Sequence, residues 1–180
     1  MNARQAQSKD SSFEGFYNKA LKFLSYRPRS EKEVHDNLTK KSSSAKASEG
    51  QRKASEEMVN LIIKKLKEQR FLDDREFAKW WIEQRTLVKP MGKRLIKLEL
   101  TKKGIDKELI DEIFNDTEKI VHSELELARK LVQRKIEKFK NEDRQTVYRR
   151  LGGFLSRRGF NYDTIKKAID EALKEDYNSF

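Results

Sequence analysis

Leu38-Thr39-Lys40-Lys41, Leu100-Thr101-Lys102-Lys103 and Leu155-Ser156-Arg157-Arg158 repeat one pattern, leucine, any residue and two cations, at intervals of roughly 60 and 55 residues. Each copy closes an amphipathic stretch. In the second and third copies a glycine and an apolar residue follow at once, Gly104-Ile105 and Gly159-Phe160. That order predicts a helix end: glycine adopts the left-handed conformation without strain, and the next apolar side chain folds back on the last turn. The paired cations then sit at the negative pole of the helix dipole. Two readings stand open. The cations stabilise the helix ends, or they form three basic clusters set at regular intervals for a polyanion.

Working outward, each cluster closes the middle helix of a three-helix unit. Residues 1–12 are polar and read as a disordered tail, and the first unit spans 13–72. Phe16, Ala20, Phe23 and Leu24 recur at helical spacing until Pro28, so a first helix ends near Arg27. Ser30 stands three residues before Glu33, a capping-box spacing that opens a helix carrying Val34 and Leu38. Residues 42–54 lack apolar periodicity and read as a flexible loop, after which Val59, Ile62, Ile63 and Leu66 mark a third helix.

Phe71-Leu72-Asp73-Asp74 forms the junction to the second unit, 73–116, with Asp73 placed to cap the next helix and Glu76 three residues on. Trp80-Trp81, Leu95 to Leu100 and Ile110 to Phe114 lie on its three helices; the third unit, 117–180, follows the same plan. No segment alternates as a strand, so the expected fold is all-α, three tandem three-helix repeats forming an elongated, curved molecule. Gly152-Gly153 falls inside a helix, where each glycine costs about 1 kcal/mol relative to alanine. Close helix approach or a bend is the expected compensation, and a backbone surface kept for a ligand is the other reading.

Composition narrows the partners. Lys plus Arg exceed Asp plus Glu by 41 to 30, a formal charge of +11, which points to polyanions. Only 36% of residues are apolar, which suits several small cores better than one thick one. There is no cysteine, so no disulfide scaffold or thiolate chemistry, and a reducing cytoplasm is expected. No run approaches the roughly 18 apolar residues of a membrane span, so no membrane partner is expected.

Charge is also segregated along the chain. Six cations face one acid between Lys89 and Gly104, eleven face three between Arg129 and Arg158, and the intervening Asp106 to Leu127 carries eight acids and two lysines. Such blocks require strongly positive surface bands. The predicted helix through Arg149-Arg150 and Arg157-Arg158 holds no acid from Tyr148 to Asn161, where a merely solvated face would intersperse them.

Catalysis finds little support. His35 and His122 are too few and too far apart for zinc, and no phosphate-cradling loop or metalloprotease motif occurs. Asp73 and Asp74, with Glu76 or Glu99, could be imagined as nuclease metal ligands, but helix capping explains the first three. Base stacking on Trp80-Trp81 competes with core packing; adjacent helical residues point about 100° apart, so one tryptophan fills the core while the other reaches a repeat interface or the surface. No cofactor and no enzyme activity are expected.

These landmarks together resemble the RecX family, regulators of the RecA recombinase. The match is carried by Ala20-Leu21 with Leu24, Arg27-x-Arg29-Ser30, Phe71-Leu72-Asp73-Asp74-x-x-Phe77-Ala78, Arg85 with Gly92, Glu99-Leu100-x-x-Lys103-Gly104-Ile105, and Arg150 with Phe154-Leu155-x-Arg157-Arg158-Gly159-Phe160, over about residues 16 to 173. The chain departs from the family at Lys41-Ser42, where lysine-glycine is usual, and in the length of the loop at 42–54.

The resemblance implies a curved three-repeat body that binds the RecA–DNA filament along its groove and mainly inhibits ATP hydrolysis, strand exchange and filament growth. The basic face then meets single- or double-stranded DNA or acidic filament surface, and a monomer is expected. By position, the contact candidates are Lys93, Arg94, Lys97, Lys102, Lys103, Arg149, Arg150, Arg157 and Arg158, then Arg27, Arg29, Lys40 and Lys41 from the first repeat. Asp73, Asp74, Gly104 and Gly159 are the structural junction residues, and Arg85 is also structural.

Two rivals are a general DNA- or RNA-binding helical protein without a recombinase partner and an adaptor repeat whose charge only aids solubility. On the RecX reading, Arg157 and Arg158 replaced together by glutamate should lose inhibition far more than melting temperature. A metal nuclease would lose DNA cleavage on Asp74→Ala; a capping residue instead loses ~1 kcal/mol of stability in a denaturant melt with function retained.

Overall fold

The computed structural model describes residues 3–40, 49–116, 124–139 and 141–177, and all regular structure among them is helical. In chain order these are α1 (Ala3–Leu24), α2 (Glu31–Thr39), α3 (Glu49–Glu68), α4 (Asp74–Glu83), α5 (Lys93–Lys102), α6 (Lys107–Asp116), α7 (Glu124–Ile136), α8 (Arg144–Arg157) and α9 (Tyr162–Tyr177). A π-helical turn, Gln84–Val88, extends α4, and a 3₁₀ turn, Glu137–Phe139, extends α7. Helices α1–α3, α4–α6 and α7–α9 make the three domains. By contacts the chain divides into two compact units, Met1–Ala78 with Lys103–Ile105, and Lys79–Lys102 with Asp106–Phe180.

Two boundaries differ from the sequence reading. The stretch 3–12, read as a tail, is helical: it contains no proline or glycine and continues an amphipathic helix, so it propagates without a new nucleus. Helix α3 begins at Glu49, inside the expected loop at 42–54, because Glu, Gln, Arg, Lys and Ala are good helix formers even without an apolar stripe. Residues 41–48, including Lys41, lie outside those described.

The cores follow the predicted faces. In the first domain Ala20, Val34, Leu38, Val59, Ile62, Ile63, Leu66 and Leu72 form one buried cluster. In the third, Leu131, Val132, Val147, Leu151, Leu155 and Ile169 anchor another. Trp81 is buried and donates its indole N–H to Glu99 at 2.8 Å, while Trp80 is half-buried, dividing the pair as the helical geometry required. Arg85 lies over the Trp81 ring and binds Glu99 at 2.7 Å, which fastens the π turn to α5.

The helix ends are the exacting part. Arg158 caps α8, Gly159 takes φ +85°, its N–H reaches Ser156 O at 2.9 Å, and the Phe160 N–H reaches Leu155 O at 3.3 Å. This is a Schellman end with Phe160 folded into the core. Gly104 takes φ +84° after α5. Helix α3 ends in the same way with Arg70 at φ 59°, a conformation that is strained for a non-glycine residue.

Gly159 is also held by space. A Cβ there would collide with Leu95 Cβ and stand 2.9 Å from its backbone N, whereas at Gly104 its nearest neighbours are side-chain atoms of Lys32, Cβ at 2.7 Å and Cδ at 2.8 Å. At Gly152 and Gly153 the expected close helix approach is not found. A Cβ at Gly152 would meet only Ile165 Cγ2 at 3.8 Å, and one at Gly153 only Arg157 Nη1 at 3.3 Å. Gly159→Ala should therefore cost about 3 kcal/mol, more than Gly104→Ala and against a gain for Gly152→Ala, in the same denaturant titration.

Candidate nucleic-acid interface

Each unit contains one junction, and the two are built alike. In the N-terminal unit Ser30, fully buried, caps α2: its hydroxyl accepts from the Glu33 N–H at 3.2 Å and donates to the Lys103 carbonyl at 2.7 Å. The first N–H of α2, on Glu31, is taken by Asp74 Oδ1 at 2.8 Å. In the C-terminal unit the Gly92 N–H donates to the Arg158 carbonyl at 2.8 Å, and the first N–H of α5, on Lys93, is taken by Glu124 Oε1 at 3.1 Å. In both, a carbonyl beside a left-handed glycine meets the start of a helix, and the first residue of α4 or α7 neutralises that helix's positive pole.

Asp73 caps α4 as the sequence predicts, accepting from the Arg75 and Glu76 N–H groups at 2.8 and 3.1 Å. Asp74 instead caps α2 from a distance. Burial pushes its carboxyl up, and the Glu31 N–H opposes that shift. Among the described residues no group of His, Cys, Asp or Glu is arranged to hold a metal ion. His35 Nε2 lies 2.7 Å from Glu56 Oε1, and His122 falls outside the described residues.

The junctions sort the candidate cations into two kinds. Lys103 pairs with Glu33 at 2.7 Å and lies over Phe77, while Arg27 grips the same carboxylate at 2.9 Å. Arg29 lies 4.0 Å over the Phe23 ring, and burial lowers its pKa. Arg158 donates to the Pro90 carbonyl at 2.9 Å and covers Phe154. Lys97 pairs with Asp111 at 2.5 Å, and Arg150 with Glu142 at 3.0 Å. These side chains are engaged in holding the fold.

Lys40, Arg94, Lys102, Arg149 and Arg157 are exposed and have no ion-pair partner among the described residues. Lys93 is half-buried and engaged. Alignment of the repeats at Gly104 and Gly159 puts Arg94 opposite Arg149 and Lys102 opposite Arg157. Each pair is eight residues apart, about 12 Å along its helix. The second basic residue of each doublet, Lys103 or Arg158, turns inward to the junction. The sequence pattern grouped both cations; only the side-chain partners separate them. Replacing Arg157 and Arg158 together therefore mixes a surface charge with a junction contact.

Comparison with known proteins gives three matches in chain order: RecX, first three-helix domain, over residues 17–45; RecX, second three-helix domain, over 73–113; and RecX, third three-helix domain, over 122–169. The chain is 34% identical over 156 residues to "Regulatory protein RecX" of Bacillus pumilus, covering 87% of this chain and 54% of that protein. It is 31% identical over 159 residues to "Regulatory protein RecX" of Clostridium tetani, covering 87% of this chain and 67% of that protein. The chain thus spans about half to two thirds of the length of these relatives. The crystal structure of RecX from Lactobacillus salivarius superposes with a TM-score of 0.69 at 25% identity, covering 90% of this chain and 97% of the other. No helix among the described residues is long and apolar enough to cross a membrane.

The Glu33 hub makes the first junction acid-sensitive. Burial alone would raise this carboxyl, but hydrogen bonds from Arg27 and Lys103 and their charges hold it at about 2 instead of 4.5. A depressed carboxyl contributes stability that is full above its unfolded value and lost as pH falls through its folded one. Urea melts should therefore show stability declining from about pH 4.5 towards 2, and Glu33→Gln should flatten that limb while lowering stability at neutral pH.

Proposed function

We propose that this chain, which belongs to the RecX family, binds the RecA–DNA filament and mainly inhibits it, restraining ATP hydrolysis, strand exchange and filament growth in recombinational repair and the SOS response. The observation that carries the reading is the succession of all three RecX domains along the chain. The exposed Arg94, Lys102, Arg149 and Arg157, set on equivalent positions of α5 and α8, support it. Anionic partners attract such side chains through charge and counterion release. The mode of action is binding alone: repeated modest contacts on linked domains combine through effective concentration, and no bond is made or broken. The setting is the cytoplasm, with the filament and DNA as partners.

The test adds the protein, first below and then at one copy per RecA, to RecA preassembled on single-stranded DNA, and follows ATP hydrolysis. Inhibition well below one copy per RecA is expected. Arg94→Glu with Arg149→Glu and Arg157→Glu should weaken inhibition at least about tenfold with melting temperature nearly unchanged. Arg158→Glu should lower the melting temperature by several degrees, because it strips the Pro90 contact. No effect on the filament, with tight salt-sensitive binding to bare nucleic acid, would overturn the proposal in favour of a general nucleic-acid-binding protein.

A further inference from the structure

The third domain carries a groove of about 850 Å³ between α8 and α9. Tyr148, Gly152 and Ser156 lie four residues apart on α8 and share the face that lines it. Arg149 and Lys166 stand on its rim, exposed and without an ion-pair partner among the described residues, and Tyr162 at the start of α9 is 75% exposed. Asp170, the acid that lines the groove, is occupied by the Tyr148 hydroxyl and by Arg144 at 3.3 Å.

The floor of this groove is hollow where it could be filled. Gly152 and Gly153 both line it, they weaken α8 relative to alanine, and no close packing requires either. The corresponding groove of the second domain, between α5 and α6, has Lys97 and Leu98 at the equivalent positions. The second domain's groove is the smaller of the two, about 610 Å³ against about 850 Å³.

We infer that this groove binds single-stranded nucleic acid, an unstacked base lying on the Gly152-Gly153 floor beside Tyr148 and Tyr162 with the flanking phosphates on Arg149 and Lys166. Charge complementarity favours a polyanion, since the segment Arg129 to Arg158 holds eleven cations and three acids. A groove of about 850 Å³ is too small to seat a duplex but can receive a splayed base. The backbone polar groups of α8 are used within the helix, so the floor offers a peptide's amides no partners, whereas the face of a base asks only for a flat apolar surface.

The inference shares its DNA partner with the proposed function and is tested without the recombinase. Gly152→Leu fills the groove without altering charge, and Gly152→Ala, for which there is room, serves as the folded control with a raised melting temperature. Binding of a fluorescein-labelled oligothymidylate is followed by anisotropy at fixed salt. Gly152→Leu should weaken it about tenfold, and Tyr162→Ala similarly, with Gly152→Ala intermediate. Unchanged affinity in a folded Gly152→Leu protein, or no binding by the unmodified chain, would overturn the inference and leave the RecA reading intact. Lost filament inhibition with retained oligonucleotide affinity would assign the groove to a protein partner instead. Weakened oligonucleotide binding in a chain that leaves RecA unaffected would uphold the groove and defeat the RecA reading.

Discussion

A helix leaves its first N–H groups unpaired, and the arrangement of this chain follows from how two of its helices solve that problem with distant residues. The starts of α2 and α5 are buried beneath the carbonyls of Lys103 and Arg158, and each is completed by a carboxylate from the first residue of α4 or α7. The carbonyl can reach its target because a left-handed glycine follows it at once. At Gly159 the approach is so tight that no side chain fits, and Gly92 faces the same point, where a Cβ would stand 2.5 Å from the Phe160 N. Position, capping and close approach are thus one constraint, used once in each unit.

The same constraint decides which cations remain available. A basic doublet that ends a helix beside such a contact cannot send both side chains outward: the residue next to the glycine is drawn to the junction, and the one before it stays in solvent. Lys102 and Arg157 are exposed, whereas Lys103 and Arg158 bind Glu33 and the Pro90 carbonyl. Fold-holding charge and solvent-facing charge are therefore divided between two adjacent residues.

Much of this was legible in the chain. The apolar spacing placed the helices and cores, Ser30 and Asp73 announced their caps, and the glycines after the basic doublets marked the helix ends. What was hidden has a common cause. The partner of Asp74 lies 43 residues away and that of Lys103 70 residues away, so local pattern could name a cap or a cation but not its target. The polar start of α1 escaped because periodicity detects an apolar stripe, and this stretch carries none. At Gly152-Gly153 the sequence shows the cost of a mid-helix glycine without showing the space around it, so the expected close approach could not be told from an open groove.

The reach of these contacts also sets an order of assembly. Ser30 is joined to the carbonyl of a residue 73 positions later. At a synthesis rate of about 5–20 residues per second, the first domain waits about 4–15 s between emergence of its second helix and arrival of the segment that closes it. During that interval the hydroxyl of Ser30 faces water and Glu33 lacks one of its two cations, so the nascent domain is looser than the finished one. The end of α5, the middle helix of the second domain, rather than any residue of the first, completes the first domain's fold.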